Sequence, residues 1–194
     1  RGGSGLAHFP CIVEYAKQKN EQWDGEDLGD LSAPWRDCPV CKQEYQNELA
    51  VELANEFIAF ADEKYPQDRR MHIVALYRKL DALGDQLHPH QKEEAEPIAH
   101  RILSIIQQMK TADPTLPKEI LRYEGDTYNN LGCLAFKERT KESAKIAMEH
   151  FEKCRDIFEE IRYTTGVAVV ESNFAAAKSR YAGIRDEEEV LKQN

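Results

Sequence analysis

The sequence predicts an all-α protein built of antiparallel helical hairpins, preceded by a small irregular segment that carries metal-ligand spacing. Three observations predict it. From Tyr45 onward apolar residues recur at intervals of three and four, which places them on one face of a helix. The alternation of β-branched residues that marks strands is almost absent. A weak repeat runs through the second half, where Asn130-Leu131-Gly132 and Asn173-Phe174-Ala175 align at an offset of 43 residues.

Composition sets the outer bounds. The 194 residues are 41% hydrophobic and 31% charged, the profile of a chain that can bury a core. Aspartate and glutamate total 35 against 26 lysines and arginines, a formal charge of -9, and an acidic surface of this kind repels phosphate backbones. A nucleic-acid partner is therefore not expected. Nor is a membrane span, since no apolar run approaches the roughly 20 residues that crossing a bilayer takes. Five cysteines are too few and too unevenly spaced for a disulfide framework, so reduced thiols and an intracellular site, cytoplasmic or nuclear, are expected. The opening Arg1-Gly2-Gly3-Ser4-Gly5 lacks both an initiator methionine and the build of a signal peptide, and further chain is expected ahead of it.

Residues 1–41 are punctuated rather than periodic. Glycines stand at 2, 3, 5, 25 and 29, prolines at 10, 34 and 39, and both tryptophans, Trp23 and Trp35, fall here. The expectation is a small core held by something other than packed helices. The first helical stripe comprises Leu49, Leu53, Phe57, Phe60 and Ala61 and ends at Pro66. A second runs Ile73, Leu76, Tyr77, Leu80, Leu83 and Leu87. The third runs Ala95, Ile98, Ala99, Ile102, Ile105, Ile106 and Met109, with Pro97 near its first turn or kinking it. Asp113-Pro114 and Pro117 break the pattern. Further helices are expected over 118–138, 142–162 and 165–182. Another is expected over 185–194, opened by Asp186-Glu187-Glu188-Glu189, where acidic residues suit the helix dipole. The domains read as 1–43 and 44–194.

Around the first copy of the repeat, Tyr128, Leu131, Gly132, Ala135, Ala147 and Phe151 follow the order found in tetratricopeptide repeats. Small residues there let one helix meet the next, and an aromatic fills the following interface. Glu138 to Ser143 lengthens the turn beyond the usual repeat of about 34 residues, so the stretch resembles the longer variant of kinesin light chains. An ordinary antiparallel bundle is the alternative, because glycine and alanine at close helix crossings are common. The resemblance implies a helical groove that takes a protein or peptide partner.

His8-Phe9-Pro10-Cys11 is a His-x-x-Cys and Cys38-Pro39-Val40-Cys41 a Cys-x-x-Cys. A two-residue gap lets both side chains turn onto one ion, and the closing turn exposes amides that favour the deprotonated thiol. Thiolate and imidazole together suit zinc. A redox pair is the other reading of an isolated Cys-x-x-Cys.

The run from Arg1-Gly2-Gly3 through His8, Cys11 and Tyr15, with the closing Trp35-Arg36-Asp37-Cys38-Pro39-Val40-Cys41, resembles the second half of a RING-variant (RING-CH) zinc finger. The order of finger and helices is similar to algal and diatom proteins that place such a finger before tetratricopeptide-like helices. The resemblance makes His8, Cys11, Cys38 and Cys41 ligands five to eight of eight, while ligands one to four have no counterpart in the chain. In the cross-braced arrangement the family implies, these four residues are two half sites rather than one whole one. Weak zinc binding and poor order over residues 1–41 are then expected. The resemblance further implies that a ubiquitin-conjugating enzyme is gripped by Ile12, Tyr15 and Pro39, so that ubiquitin-ligase activity requires the missing cysteines and this chain alone catalyses nothing. Ile12 and Tyr15 can equally serve as packing beneath the second ion. A plant-homeodomain finger, which reads histone tails, shares the ligand types and carries a tryptophan near the position of Trp35. A third reading makes the finger a mere cap on a non-catalytic helical scaffold.

Other residues read as structural. His88-Pro89-His90 is a loop without a cysteine to complete a site. Cys133 and Cys154 are small helical hydrophobes, and His100 and His150 lie on amphipathic helices without partners at fixed spacing. No phosphate-cradling loop, His-Glu-x-x-His or nucleophile elbow is present.

Overall fold

A computed structural model describes residues 8–23, 27–84 and 91–193, with side chains in the last stretch described from 93 to 183. Among the described residues eight helices are formed: α1 Phe9–Glu21, α2 Leu28–Arg36, α3 Asn47–Lys64, α4 Arg69–Gly84, α5 Gln91–Ala112, α6 Lys118–Phe136, α7 Lys141–Glu160 and α8 Thr164–Gln193. Among the described residues there is no strand, and a lone antiparallel bridge joins Asp37 to Glu44. The all-α expectation holds. The chain divides into two compact units, residues 1–91 and 92–194.

In the first unit the segment expected to be irregular contains two helices. Pro10 does not break α1 but sits in its first turn, where the missing N–H would have had no intrahelical partner. Val13, Ala16 and Asn20 recur at three and four and turn inward; the charged residues between them mask that period in the sequence. Asp27 caps α2 by accepting from the Gly29 amide at 2.6 Å. Leu28, Leu31 and Trp35 carry the buried face of α2. The two helices are tied by Asn20, whose Nδ2 donates to the Leu31 carbonyl at 2.8 Å and whose Oδ1 accepts from the Trp35 indole.

Trp35 stacks on Phe57 of α3, with centroids 4.8 Å apart and planes 7° from parallel, and lies 6.0 Å from Phe60. The core of this unit is therefore packed helix, and residue 43 falls between two helices that share it. Helix α4 carries Met71, Ile73, Val74, Ala75, Leu76, Leu80, Ala82 and Leu83, all buried. It packs on α2 and α3. Leu87 and His88-Pro89-His90 lie outside the described residues.

In the second unit α6, α7 and α8 form repeat-like helical hairpins. The first is closed by a capping box: Thr140 Oγ1 accepts from the Ser143 amide and Ser143 Oγ from the Thr140 amide, each at 3.0 Å. Two glycines set the separation of α6 and α7. A Cβ on Gly132 would stand 2.4 Å from Phe151, and one on Gly125 would stand 2.3 Å from Phe158. The rings occupy the space that larger residues would fill. At the second turn the Tyr163 amide donates to the Phe158 carbonyl at 2.8 Å, and Arg162 takes a φ of 61°.

The expected bounds for α6 and α7 hold to within two residues. The helix expected separately at 185–194 is instead the continuation of α8. Gly183, the one residue there that invites a break, is enclosed by nothing within 4 Å and no proline follows it, so the helix runs through. No helix among the described residues is long and apolar enough to cross a membrane.

Candidate metal and partner-binding site

Cys38 and Cys41 flank a tight turn that opens where α2 ends. The Lys42 amide donates to the Cys38 carbonyl and the Cys38 amide to the Gln43 carbonyl, both at 2.9 Å, so the loop is closed at its base. Lys42 adopts the left-handed conformation, with φ at 60°, which bends the chain back immediately after the second cysteine. The nearby amides of Cys41 and Val40, and then the Cys41 thiol, favour the charged form of Cys38 and hold its pKa below the ordinary thiol value. Cys41 in turn points its thiol at Gln43 Oε1, 3.9 Å away. A closed turn bearing a Cys-x-x-Cys pair supplies two residues of the type that ligate zinc.

The other two expected ligands are placed apart from this geometry's completion. His8 is the exposed N-cap of α1 and Cys11 stands exposed in the first turn, where its amide donates to the His8 carbonyl at 2.9 Å. Among the described residues, no group of three or more histidine, cysteine, aspartate or glutamate side chains stands close enough to hold a metal ion.

Tyr15 and Pro39 lie on one open cleft of about 390 Å³, whose walls also include Trp23, Pro34, Cys38 and Lys42. Ile12 is half-buried on α1 and is not among the residues lining it. The cleft is mixed in character: its lining combines Tyr15, Trp23 and two prolines with Lys19, Lys42, Asp30 and Asp37. Asp37 is already engaged by Arg36, with N–O distances of 2.8 and 3.0 Å, and that guanidinium holds its carboxyl below the usual range.

Sequence reasoning missed Tyr45. Its hydroxyl is buried and has no hydrogen-bond partner among the described residues. Burial raises its pKa, as do the charges of Cys38, Cys41 and Tyr15 to a smaller degree. The available signal was the spacing Cys41 to Tyr45, four residues past the pair.

The second unit contributes a smaller cleft of about 230 Å³ between α7 and α8, lined by Phe151, Arg155, Val170, Glu171 and Phe174. The helices beside it are latched by polar contacts. Asn173 of α8 donates to Asn129 of α6 at 2.9 Å, and the Arg180 guanidinium lies 3.5 Å from the centroid of Phe136. Cys154 is fully buried, and burial pushes its thiol up to about 12. Cys133 is raised for the same reason. Both behave as the inert hydrophobes their helical positions suggest. No family model, curated protein or solved structure matches this chain.

Proposed function

We propose that the chain is a protein–protein interaction module, in which tetratricopeptide-like hairpins take a protein or peptide partner and the leading segment is the zinc-binding second half of a RING-variant finger. In this reading Cys38 and Cys41 hold one zinc ion in part and His8 and Cys11 another, and the metal orders the segment around them. Tyr15 and Pro39 then present the surface that meets a ubiquitin-conjugating enzyme, with Ile12 on the same helix. The module grips and positions partners, and its side chains perform no bond-making step of their own.

The observation that carries this reading is the turn at Cys38–Cys41, closed at its base by the Lys42-to-Cys38 and Cys38-to-Gln43 backbone bonds, beside a cleft that Tyr15 and Pro39 share. The helical half is supported by the glycine-to-phenylalanine register of α6 and α7, which repeats the small-residue and aromatic order of the sequence. Isotope-labelled, zinc-supplemented chain titrated with a ubiquitin-conjugating enzyme tests the reading. Resonances of Tyr15, Cys38 and Val40 are expected to shift, and Tyr15→Ala is expected to weaken the response. A response to a histone-tail peptide in place of the enzyme would favour the plant-homeodomain alternative, and silence towards both would remove the finger from the account.

A further inference from the structure

We propose that, free of metal, Cys38 and Cys41 form a thiol–disulfide exchange pair that closes a disulfide between its own two sulfurs on meeting a small-molecule disulfide such as oxidised glutathione. The closed turn carries the argument. Its two hydrogen bonds, from Lys42 to Cys38 and from Cys38 to Gln43, close the chain on itself around a two-residue gap, a spacing at which two cysteines can be joined. Both residues are reached by solvent, and Cys38 lines a cleft of about 390 Å³ through which a small peptide disulfide can approach. The chain's other thiols set the contrast. Cys154 is sealed in the core and Cys133 is half-buried, while Cys11 is exposed on α1 and serves as an internal reference.

The exchange balances as follows. The Cys38 sulfur attacks one sulfur of the oxidised glutathione, the glutathione S–S bond breaks, and one glutathione leaves as a thiolate that takes up a proton. Cys41 then attacks the Cys38 sulfur of the mixed disulfide, and the second glutathione leaves and is protonated in the same way. Two protein thiols are oxidised to one disulfide and one glutathione disulfide is reduced to two thiols. Sulfurs joined in this way cannot serve as thiolate ligands, so exchange and metal holding exclude one another at this turn.

The full chain is incubated with oxidised glutathione in the presence of a metal chelator, alkylated, digested and examined by mass spectrometry. The expected result is the loss of two of the five alkylatable thiols, both from the peptide holding Cys38 and Cys41, with no glutathione retained there. Cys41→Ser is expected to trap a glutathione adduct on Cys38, since the resolving sulfur is gone. The proposal is overturned if Cys38 and Cys41 remain alkylatable while Cys11 reacts, if the disulfide formed joins Cys11 to either of them, or if Cys41→Ser leaves Cys38 unmodified. Because chelator is present throughout, a chain with no zinc affinity gives the same answer, and failure of the metal reading is distinguished from failure of this one.

Discussion

Single atoms decide how closely the helices of the second unit approach. Gly132 faces the fully buried ring of Phe151, so Gly132→Ala places a methyl where the ring lies. Overpacking of this kind costs about 1–3 kcal/mol, to be read as a lower midpoint in chemical denaturation. Gly183 meets nothing within 4 Å, and Gly183→Ala is expected to raise stability by about 0.5–1 kcal/mol, the difference between the two residues inside a helix. In the first unit Asn20→Ala strips a partner from both the Trp35 indole and the Leu31 carbonyl. With the amide 1% exposed, the loss is expected at about 2 kcal/mol or more. His150 supplies a pH signature. Burial, then Lys153 and His100, lower its pKa, while Glu149 and Glu96 oppose them. The unfolded chain therefore binds the proton more readily, and stability falls as pH drops below the ordinary histidine value of about 6.5 until the folded form also protonates. His150→Gln is expected to flatten that part of the stability profile.

The sequence declared Gly132 and Phe151 because both belong to a spaced pattern. It was silent on Asn20 and Tyr45, whose roles depend on neighbours eleven or more residues away or on a turn whose direction the spacing does not specify.

Elements were legible to the degree that their period stood out. The stripes beginning at Leu49, Ile73 and Ala95 fall on α3, α4 and α5, with Leu87 outside the described residues, and α6 and α7 formed close to their expected bounds. Helices α1 and α2 escaped because glycine and proline were counted as breaks, although Pro10 occupies a first turn and Pro34 a last one. Trp35, expected as part of an irregular segment, is instead the anchor that seats α2 on α3. Between α5 and α6 the deciding contact is ionic. Lys110 Nζ lies 2.8 and 2.6 Å from the two carboxylate oxygens of Glu124, whose side chain is 10% exposed. Lys110→Met removes the partner of a nearly buried charge. The cost is expected below the 3–5 kcal/mol seen for buried pairs, at about 2–3 kcal/mol, because Lys110 itself is a third exposed. Pairing it with Glu124→Gln is expected to recover part of the loss, and a double-mutant cycle on thermal unfolding measures the coupling.

At the scale of the molecule, two helical units carry different signals. The unit from residue 92 has a repeat visible in the sequence and realised as hairpins. The unit to residue 91 combines a helical core with a closed cysteine turn on its surface, and the motif there was readable because sulfur spacing is local. What the motif does depends on how many ligands converge, which four residues separated by up to 33 positions do not reveal on their own. Cobalt(II) titration of the full chain, followed through thiolate-to-metal absorption, tests this most directly in the parent and in the Cys38→Ser, Cys41→Ser, His8→Ala and Cys11→Ser variants. The account expects weak binding at the turn, abolished by either of the first two changes and untouched by the last two. One tightly held ion per chain, lost equally on altering any of the four, would contradict it.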